Sequence, residues 1–369
     1  MRKTRKLLFA AHDMNLGGIE TSLVNLLNYL SKKDYNITLV LEQKEGIFLD
    51  SLDKKIQVIE YNPSNDENFL KRKYRNMVKR IQFMVKYGYR FDFSASFATY
   101  SLMSSFVVRI ASKNCALWGH ADYLALFKQD KEKFKQFFEQ IKYNKFTKIV
   151  FVSKAACNSF LQIYPQMKKR VIYCNNIIDN KRIEQLATEN AQIKESKKLY
   201  TFINIGRHDE QQKKLTRLIE AAKMLKEEKL KFRILFVGEG PDSNMYKELV
   251  DNNQLGDCIV FVGQKKNPYP YLRISDCTIL TSDYEGYPVV FTESMILDKP
   301  IITTDVSDAR EIIDNKYGTV VTKEVEDIYK AMKQYIENGC TIPEKFNPEK
   351  YNKEIEETLE KIIDKKLKL

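Results

Sequence analysis

The sequence predicts an α/β protein with two domains, each built around a parallel β-sheet. Its 369 residues suffice for two domains of ordinary size, roughly 100 to 200 residues each. Hydrophobic residues make up 43% of the chain and aromatic residues 12%, which excludes an intrinsically disordered protein. In both halves, short apolar runs bounded by turn residues alternate with longer amphipathic stretches, an alternation typical of strands and helices in parallel sheets.

Six short apolar runs predict the strands of the first domain, and helices fill the intervals between them. The helix over residues 20–31 is the best marked, because its leucines recur at the spacing of one helical face. Residues 69–90 form a second amphipathic stretch with a strongly basic face. The predicted strands span residues 6–11, 36–41, 57–60, 91–97, 114–118 and 148–152.

The second half repeats this alternation and ends in a charged stretch. A helix over residues 215–225 follows its first strand, and residues 347–369 predict a terminal helix with exposed charges. We therefore expect an N-terminal domain over residues 1–185, a C-terminal domain over residues 198–346, and a final helix that could cross back to the first domain. The polar segment 188–198 is the expected linker. The predicted strands span residues 199–205, 233–237, 258–262, 277–280, 300–303 and 318–321.

Positive charge is concentrated in the first half of the chain. The formal net charge is +12, with 61 lysine and arginine residues against 49 acidic ones. Residues 1–180 hold 30 basic and 16 acidic side chains, whereas residues 181–369 hold 31 and 33. An excess of this size suggests a polyanionic partner, but its confinement to one half and the lack of a recognised nucleic-acid-binding motif argue against a nucleic acid.

The cysteines and the apolar runs exclude several classes of protein. The six cysteines include no C-x-x-C pair and only three histidines accompany them, so zinc-finger spacing is absent and a disulfide framework is not expected. We expect reduced, mostly buried thiols in a cytosolic protein. The apolar run at residues 7–11 is too short for a signal peptide, and no run approaches the roughly 18 apolar residues of a membrane-spanning helix.

Glycines cluster behind the carboxyl ends of the predicted strands. Some are plain turn residues, since connections from strand to helix often need a positive φ. Ligands of open parallel sheets nevertheless collect at this edge, and two such sheets facing each other would enclose a cleft. The glycines concerned are Gly17, Gly18, Gly119, Gly206, Gly238, Gly240, Gly263 and Gly286.

One segment of the second half combines a strand end, a turn and a helix start. Glu285 and Gly286 lie in the turn, and the helix is expected to begin at Val289 or Val290. Unpaired amides of its first turn would attract an anion, and Glu293, one turn further on, could accept hydrogen bonds from two hydroxyls of a sugar or ribose. The residues alone fit equally well a simpler interpretation, in which both glutamates stabilise the helix dipole.

A second candidate anion site follows the first strand of the C-terminal domain. Gly206 and Arg207 stand at the strand end, and Lys213 and Lys214 precede the next predicted helix. An arginine and a lysine beside a strand-end glycine could clamp a diphosphate. Taken alone, the segment fits a solvated loop better.

Two loops of the N-terminal domain complete the candidate sites. Gly17 and Gly18 resemble a loop that approaches a phosphate, although neither a dinucleotide fingerprint nor a P-loop is present. His120 ends the segment Trp118-Gly119-His120 after the fifth strand. Taken alone, it fits a capping or packing histidine, and only its position at a strand end makes it a candidate.

These motifs, in this order, resemble glycosyltransferase family 4, whose members are retaining nucleotide-sugar transferases with the GT-B fold. The resemblance spans almost the whole chain and is densest over residues 200–318. In one departure, Arg207 and Lys213 stand one residue further apart than is usual, which makes Lys214 an alternative. In another, residues 295–298 replace a stretch of small residues. The motifs are Gly17-Gly18-Ile19-Glu20, Phe151-Val152-Ser153, Gly206-Arg207 to Lys213, Val237-Gly238-Glu239-Gly240-Pro241, and Glu285-x7-Glu293 followed by Lys299-Pro300.

The resemblance implies a fold and a reaction. It implies two Rossmann-like domains facing each other across a cleft, with the donor bound by the C-terminal domain and the acceptor by the N-terminal one. The donor is a nucleotide diphosphate sugar, with UDP as the expected nucleotide. No metal and no other cofactor is expected, in keeping with the absence of an Asp-x-Asp motif. The departing phosphate takes the acceptor proton from the same face of the sugar, so no side-chain nucleophile is needed.

The resemblance also implies roles for the candidate residues. Arg207 and Lys213 would neutralise the departing diphosphate. Glu293 would hold the ribose hydroxyls, while Glu285 and His120 would lie at the transferred sugar. The implied catalytic set is Arg207, Lys213, Glu285 and His120. The implied donor-binding set is Gly17, Gly18, Gly206, Lys214, Gly263, Gly286, Tyr287, Val289, Val290 and Glu293.

The basic stretch at residues 69–90 concerns the acceptor. It holds eight basic residues and no acidic one, with apolar residues at helical spacing. Such a helix suits an anionic lipid surface, and an ordinary domain helix with a basic outer face fits equally well. If this helix docks on an anionic membrane, we expect the acceptor to be a lipid-linked sugar in surface polysaccharide or capsule assembly. The protein would then be peripheral at the cytoplasmic face of the cell membrane. A soluble carbohydrate or a polyanionic polymer stays open as the acceptor. The basic residues assigned to this side are Lys71, Arg72, Lys73, Arg75, Lys79 and Arg80.

Two other functions stay open on the sequence. A nucleotide-sugar epimerase or a phosphorylase could use the same architecture, but an epimerase needs a base at the sugar carbon and none is identified. A non-enzymatic nucleic-acid-binding protein would account for the charge and the 21 tyrosines. Neither accounts for the order of the motifs as well as a glycosyltransferase does.

Overall fold

A computed structural model describes residues 4–15, 17–193 and 199–364 of the chain. The described residues fold into two units, each with its own parallel sheet. Unit 1 comprises residues up to 178 together with residues 351–364, and unit 2 comprises residues 179–350. The predicted α/β class with two Rossmann-like domains is confirmed.

Unit 1 is a sheet with helices between its strands. Its strands are β1 (Lys6–Ala11), β2 (Asn36–Leu41), β3 (Gln57–Glu60), β4 (Phe93–Ser96), β5 (Cys115–Gly119), β6 (Lys148–Phe151) and β7 (Val171–Tyr173). Its helices up to residue 178 are α1 (Gly18–Ser31), α2 (Phe69–Tyr87), α3 (Leu102–Ala111), α4 (Tyr123–Leu126), α5 (Lys131–Gln140) and α6 (Lys154–Ile163). The strands lie in the order β3-β2-β1-β4-β5-β6-β7, all parallel.

Unit 2 repeats this architecture. Its strands are β8 (Tyr200–Ile205), β9 (Phe232–Val237), β10 (Ile259–Gly263), β11 (Cys277–Leu280), β12 (Ile301–Thr304) and β13 (Gly318–Val321). Its helices are α7 (Asn180–Ala187), α8 (Leu215–Glu227), α9 (Ser243–Asn252), α10 (Tyr269–Arg273), α11 (Val289–Ile296), α12 (Ala309–Ile312) and α13 (Val325–Asn338). The strands lie in the order β10-β9-β8-β11-β12-β13, all parallel.

Burial explains why the predicted strands form. In β1 and β2, all residues but the first are buried, and β4, β5, β9, β11 and β12 are buried throughout. Near-continuous apolar runs are what a parallel sheet covered on both faces requires. Five predicted strands have the observed bounds and the other predicted ones differ by one or two residues. The strand β7 was not predicted, because it has three residues and lies at the sheet edge, half exposed.

The change of unit lies between residues 178 and 179, rather than after residue 185 as predicted. The helix α7 packs within unit 2, where Ile183 and Ala187 share a buried cluster with Tyr269. Arg273 Nε also donates to the Ala187 carbonyl at 2.6 Å. An amphipathic helix carries no mark of the sheet on which it packs, so its unit could not be read from its pattern. Of the expected linker 188–198, residues 194–198 lie outside the described residues, as does the predicted start of the second domain.

The chain returns to unit 1 through a last helix, α14 (Pro348–Ile363). Lys148, buried in β6, donates from Nζ to Asn114 Oδ1 at 2.9 Å and to the Ile362 carbonyl at 2.6 Å. Asn352 exchanges two hydrogen bonds with the backbone of Ile178, at 3.0 and 2.8 Å. These contacts hold the terminal helix against the N-terminal part of the chain.

The division into units sharpens the charge asymmetry. The full sequence places 35 basic and 20 acidic residues in unit 1, against 26 and 29 in unit 2. All six cysteines carry free thiols, and five of them are buried. Among the described helices, none is both long and apolar enough to cross a membrane.

Candidate functional site

The candidate donor site lies at the carboxyl ends of β8 and β11 in unit 2. These two strands are neighbours, and the strand order reverses between them, since β9 and β12 lie on their outer sides. Residues 206–213 follow β8, and residues 283–288 follow β11. Two motifs that are distant in sequence therefore meet at one switch point, the place where ligands of such sheets bind.

Lys213 and Glu285 form an ion pair at this point. Lys213 Nζ lies 2.6 Å from Glu285 Oε1, and Glu285 is only 7% exposed. Ser282 Oγ donates to the same oxygen at 2.8 Å, and Gln212 Nε2 donates to Oε2 at 3.3 Å. Three donors therefore orient the carboxylate. An ammonium group has three N–H donors, so Lys213 can bind an anion while it keeps this pair.

The neighbouring Lys214 points elsewhere. Its backbone is left-handed, with φ +51°, immediately before α8 begins. Its Nζ lies 3.6 Å from Glu210 Oε1, and the two partly exposed side chains form an ion pair within the same loop. Of the two lysines between which the sequence could not decide, Lys213 is the one that reaches the Glu285 carboxylate.

Gly206 and Arg207 lie beside this pair on the loop after β8. A Cβ added to Gly206 would lie 3.3 Å from Lys213 Cε, so the lysine side chain passes directly over the glycine. Gly238, after β9, has φ +152°, and a Cβ there would lie 1.9 Å from the Gly206 carbonyl oxygen. Arg207 is exposed and forms no ion pair with another described residue. Its guanidinium is thus available to a ligand.

Glu293 is buried one turn into α11. It is 7% exposed, and Tyr269 Oη donates to its Oε1 at 3.0 Å. Burial raises the pKa of Glu293 to about 7, against the lowering effect of the Tyr269 hydrogen bond. Near neutral pH this carboxyl group therefore exchanges between an acceptor of hydrogen bonds and a neutral acid.

The remaining predicted donor-binding residues occupy different places. Val289 begins α11, as predicted, and Val290 is buried in its first turn, while Gly286 and Tyr287 are buried in the loop before the helix. The first amides of such a helix have no partner within it. Gly263 ends β10 with φ +77°, on the edge strand that β9 separates from β8. The structure thus brings Gly263 to the same edge of the sheet but not to the switch point.

Sequence reasoning missed three polar residues of this site. Gln212 and Ser282 stand next to the predicted motifs, and a polar side chain so close to a strand end was the available signal. Tyr269 lies 24 positions before Glu293 on another helix, and no spacing rule connects the two residues. The contact between Tyr269 and Glu293 depends on the packing of α10 against the sheet of unit 2.

In unit 1, the predicted loop residues lie at the start of α1. This helix begins at Gly18, and Gly17 precedes it in an extended conformation. A Cβ on Gly17 would lie 2.2 Å from Glu20 Oε2, so the glycine leaves room for that carboxyl group. Burial is the main cause that raises the pKa of Glu20 to about 7.

His120 lies at the end of β5 as an uncharged ring. Its Nε2 is buried and has no hydrogen-bond partner among the described residues, and its ring lies 4.3 Å from that of Phe97. Burial lowers the pKa of His120 to about 3. At neutral pH the imidazole can therefore exchange hydrogen bonds with a ligand but carries no charge.

The helix α2 presents its apolar side to solvent. Its exposed stripe consists of Leu70, Tyr74, Met77, Ile81, Met84 and Val85, each between 47% and 73% exposed. These positions recur at helical spacing on one side of the helix. Phe83 is the only residue of α2 that is buried, and it lies on the opposite side. The amphipathic pattern was read correctly as a helix, and the structure turns its apolar side outward.

Among the described residues, no three histidine, cysteine, aspartate or glutamate side chains are grouped so that they could hold a metal ion.

Comparison with known proteins gives a family match for the second half of the chain. Residues 185–360 match the family described as glycosyl transferases group 1. An uncharacterized glycosyltransferase of Methanocaldococcus jannaschii is 29% identical over 154 residues, which is 41% of this chain and 38% of that protein. The N-acetylgalactosamine-N,N'-diacetylbacillosaminyl-diphospho-undecaprenol 4-alpha-N-acetylgalactosaminyltransferase of Campylobacter jejuni is 26% identical over 189 residues, 50% of either chain. The chain thus spans at most half the length of these two relatives.

A solved structure extends the likeness to both units. Anabaena HepE, in complex with UDP and glucose, has a TM-score of 0.75 at 17% identity, and the match covers 96% of this chain and 99% of HepE. At that level of identity the likeness establishes the fold. Residues 185–360 are thus similar to the glycosyl transferases group 1 family, and the two units of the chain have the predicted GT-B fold.

Proposed function

We propose that this protein is a retaining glycosyltransferase of family 4, which moves a sugar from a UDP-sugar to a lipid-linked carbohydrate in surface polysaccharide or glycoconjugate assembly. The Lys213–Glu285 pair at the switch point of unit 2 carries the proposal, because it sets a cation and an oriented carboxylate where a diphosphate sugar would lie. HepE binds UDP and glucose, and the Campylobacter jejuni relative is named for a diphospho-undecaprenol acceptor. Both support this choice of substrates.

In the proposed reaction, the bond between the anomeric carbon and the diphosphate breaks as the acceptor oxygen bonds to that carbon. Negative charge grows on the departing UDP, and Arg207 and Lys213 stabilise it there. Removing one preorganised donor from a developing oxyanion typically costs about 2.7–4 kcal/mol. The departing phosphate takes the acceptor proton, so no protein base is required. Glu285 accepts hydrogen bonds from the transferred sugar, and Glu293 accepts those of the ribose.

A donor screen tests the proposal directly. UDP-, GDP- and ADP-sugars are added to the full chain, and the melting temperature is followed, since a ligand that binds only the folded state stabilises it. We expect stabilisation by UDP-glucose, unchanged by EDTA because no metal takes part. Stabilisation by GDP- or ADP-sugars alone would contradict the nucleotide, dependence on an added divalent cation would contradict metal independence, and no response to any donor would contradict the whole proposal.

We also propose that α2 docks on an anionic membrane, which would place the enzyme at the cytoplasmic face of the cell membrane. The exposed stripe defined above would enter the lipid interface. Residues 69–90 add eight basic side chains and no acidic one, so the occupant should be negatively charged. A second copy of this chain would bring the same positive charge to the contact, which disfavours self-association through α2.

Vesicle flotation measures this docking. The wild type should float with vesicles of phosphatidylcholine and phosphatidylglycerol, and high salt or pure phosphatidylcholine should weaken binding. Replacing Met77, Ile81 and Met84 together by glutamine should lower binding by about tenfold or more, because three exposed apolar side chains leave the interface. The control variant replaces Ile47 and Met245, which are also exposed, by glutamine, and should bind to the vesicles as the wild type does. Equal binding of both variants would contradict docking through α2.

A further inference from the structure

Unit 1 contains a pocket of about 480 Å³ between α2 and α3. Its floor comes from residues just beyond β1, β2 and β3, including His12, Glu42 and Tyr61. Arg80 of α2 and Phe106 of α3 belong to its walls. Binding sites for small molecules typically have about 300–1,000 Å³. The pocket therefore has the size of a ligand site and lies at the edge of the sheet where ligands bind.

One part of the lining is cationic and without a carboxylate partner. The Arg80 guanidinium lies 5.3 Å from the centroid of the Phe106 ring, and the Tyr61 hydroxyl lies within its hydrogen-bonding reach. No described carboxylate forms an ion pair with Arg80. By contrast, Arg75 on the same helix is paired with Asp66 at 2.8 Å. A guanidinium has five N–H donors, so Arg80, held on an aromatic ring and in reach of one hydroxyl, keeps donors for a phosphate group.

Another part of the lining is built to accept hydrogen bonds. Glu42 Oε2 lies 3.3 Å from His12 Nδ1, and Ser101 Oγ donates to Glu42 Oε1. These partners orient the carboxylate and leave it lone pairs for hydroxyl donors. Tyr100 completes this side, and its ring centroid lies 6.2 Å from that of His12 in an edge-to-face arrangement. An oriented carboxylate among aromatic rings suits the hydroxyls and the apolar face of a sugar.

We propose that this pocket binds the acceptor through a sugar that carries a phosphate ester, with the phosphate on Arg80 and the sugar hydroxyls on Glu42. The assignment rests on the proposed transferase function and adds the place and the chemistry of acceptor recognition. It also gives α2 two separate tasks, because Arg80 faces the pocket while the exposed stripe lies on another side of the helix. The phosphate belongs either to a lipid diphosphate or to a free sugar phosphate.

Isothermal titration of the full chain tests the site with defined probes. These are N-acetylglucosamine, its 1-phosphate, and farnesyl-diphospho-N-acetylglucosamine. Arg80→Gln should weaken the binding of both phosphorylated probes about tenfold or more and leave the unphosphorylated sugar unchanged. Glu42→Gln should weaken all three. Lys86→Gln is the matched control, since it removes one positive charge from the same helix outside the pocket, and should bind as the wild type does. Tighter binding of the farnesyl probe than of the 1-phosphate would identify the lipid-linked source.

Three results would overturn this assignment. Equal losses in Arg80→Gln and Lys86→Gln would mean that Arg80 acts only through the overall charge of α2. Binding of the phosphorylated probes that none of the substitutions affects would place the acceptor elsewhere. If none of the three probes binds to a protein that still binds UDP-glucose, the pocket is rejected and the transferase proposal stays intact. If the wild type does not bind UDP-glucose, the transferase proposal itself is rejected.

Discussion

Replacing Lys213 by methionine should lower kcat for sugar transfer on the order of 10²–10³-fold, which is the effect of removing one preorganised hydrogen-bond donor from a developing oxyanion. Lys213 is the cation that the structure holds 2.6 Å from Glu285 at the switch point of unit 2. Its loss leaves both the departing diphosphate and the buried Glu285 without this partner. Initial rates of transfer from radiolabelled UDP-sugar measure the effect.

Lys214→Met is the matched control, because it removes the same charge one position along the chain. The Lys214 ammonium lies beside Glu210, so we expect its rate to stay within about threefold of the wild type. An unpaired buried Glu285 could also destabilise the fold, so the melting temperature of Lys213→Met is measured beside its rate, and the double variant Lys213→Met/Glu285→Gln, which removes the unpaired charge, should melt higher than Lys213→Met. A large loss in Lys214→Met with a normal rate in Lys213→Met would show that Lys214 is the phosphate-binding lysine.

Replacing Glu293 by glutamine should weaken UDP-glucose binding about 10- to 100-fold and remove a pH dependence that the wild type should show. The hydrogen bonds of a carboxylate to ribose hydroxyls are worth about 1.5–3 kcal/mol, and glutamine supplies only neutral ones. Because burial raises the pKa of Glu293 to about 7, the ionised form is lost as the pH falls through 7. Wild-type affinity should therefore be about tenfold lower at pH 6 than at pH 8.

Calorimetric titration with UDP-glucose between pH 6 and pH 8 checks this result, since both phosphates of that donor are esterified and do not titrate in this range. The variant should give a flat profile. Glu20 also has a pKa of about 7, so Glu20→Gln serves as the control and should keep the wild-type slope. A slope that persists in Glu293→Gln would assign the titration to another group.

The stability of the folded protein gives a second test of the raised pKa of Glu293, because the direction in which stability changes with pH is known. The folded pKa of Glu293 lies above its ordinary value of 4.5, so the free protein loses stability as the pH rises between those values. In the absence of donor, Glu293→Gln should therefore melt higher than the wild type at pH 8, and by less at pH 5. A variant that melts lower at both values would show that the glutamine disturbs the contact with Tyr269.

The sheets were predictable because their strands are local features of the chain. Buried parallel strands such as β1 and β11 are short apolar runs between turn residues, and that signal is complete within a few positions. The exposed three-residue edge strand β7 lacks it. The unit to which α7 belongs was also not predicted. The pattern of a helix shows which of its sides is apolar but not which neighbouring element that side packs against.

The candidate site likewise has a part that the sequence predicts and a part that it does not. Glycine and charge at strand ends mark Arg207, Lys213 and Glu285 in the sequence, since the carboxyl edge of a parallel sheet is where such residues are useful. The choice of Lys213 over Lys214 for the contact with Glu285 depended on a left-handed residue and on the close passage of the lysine over Gly206. Nothing in the local pattern encodes that geometry.

The sequence by itself determined the class of fold, the order of the elements, the concentration of positive charge before residue 180 and the motifs that resemble those of nucleotide-sugar transferases. These are properties of neighbouring residues or of their order. Only the tertiary structure decided that Tyr269 reaches Glu293, that the apolar side of α2 faces outward, and that Arg80 and Glu42 line one pocket. Each of these depends on how elements distant in the chain pack together, and packing is set by the whole unit rather than by any segment of it.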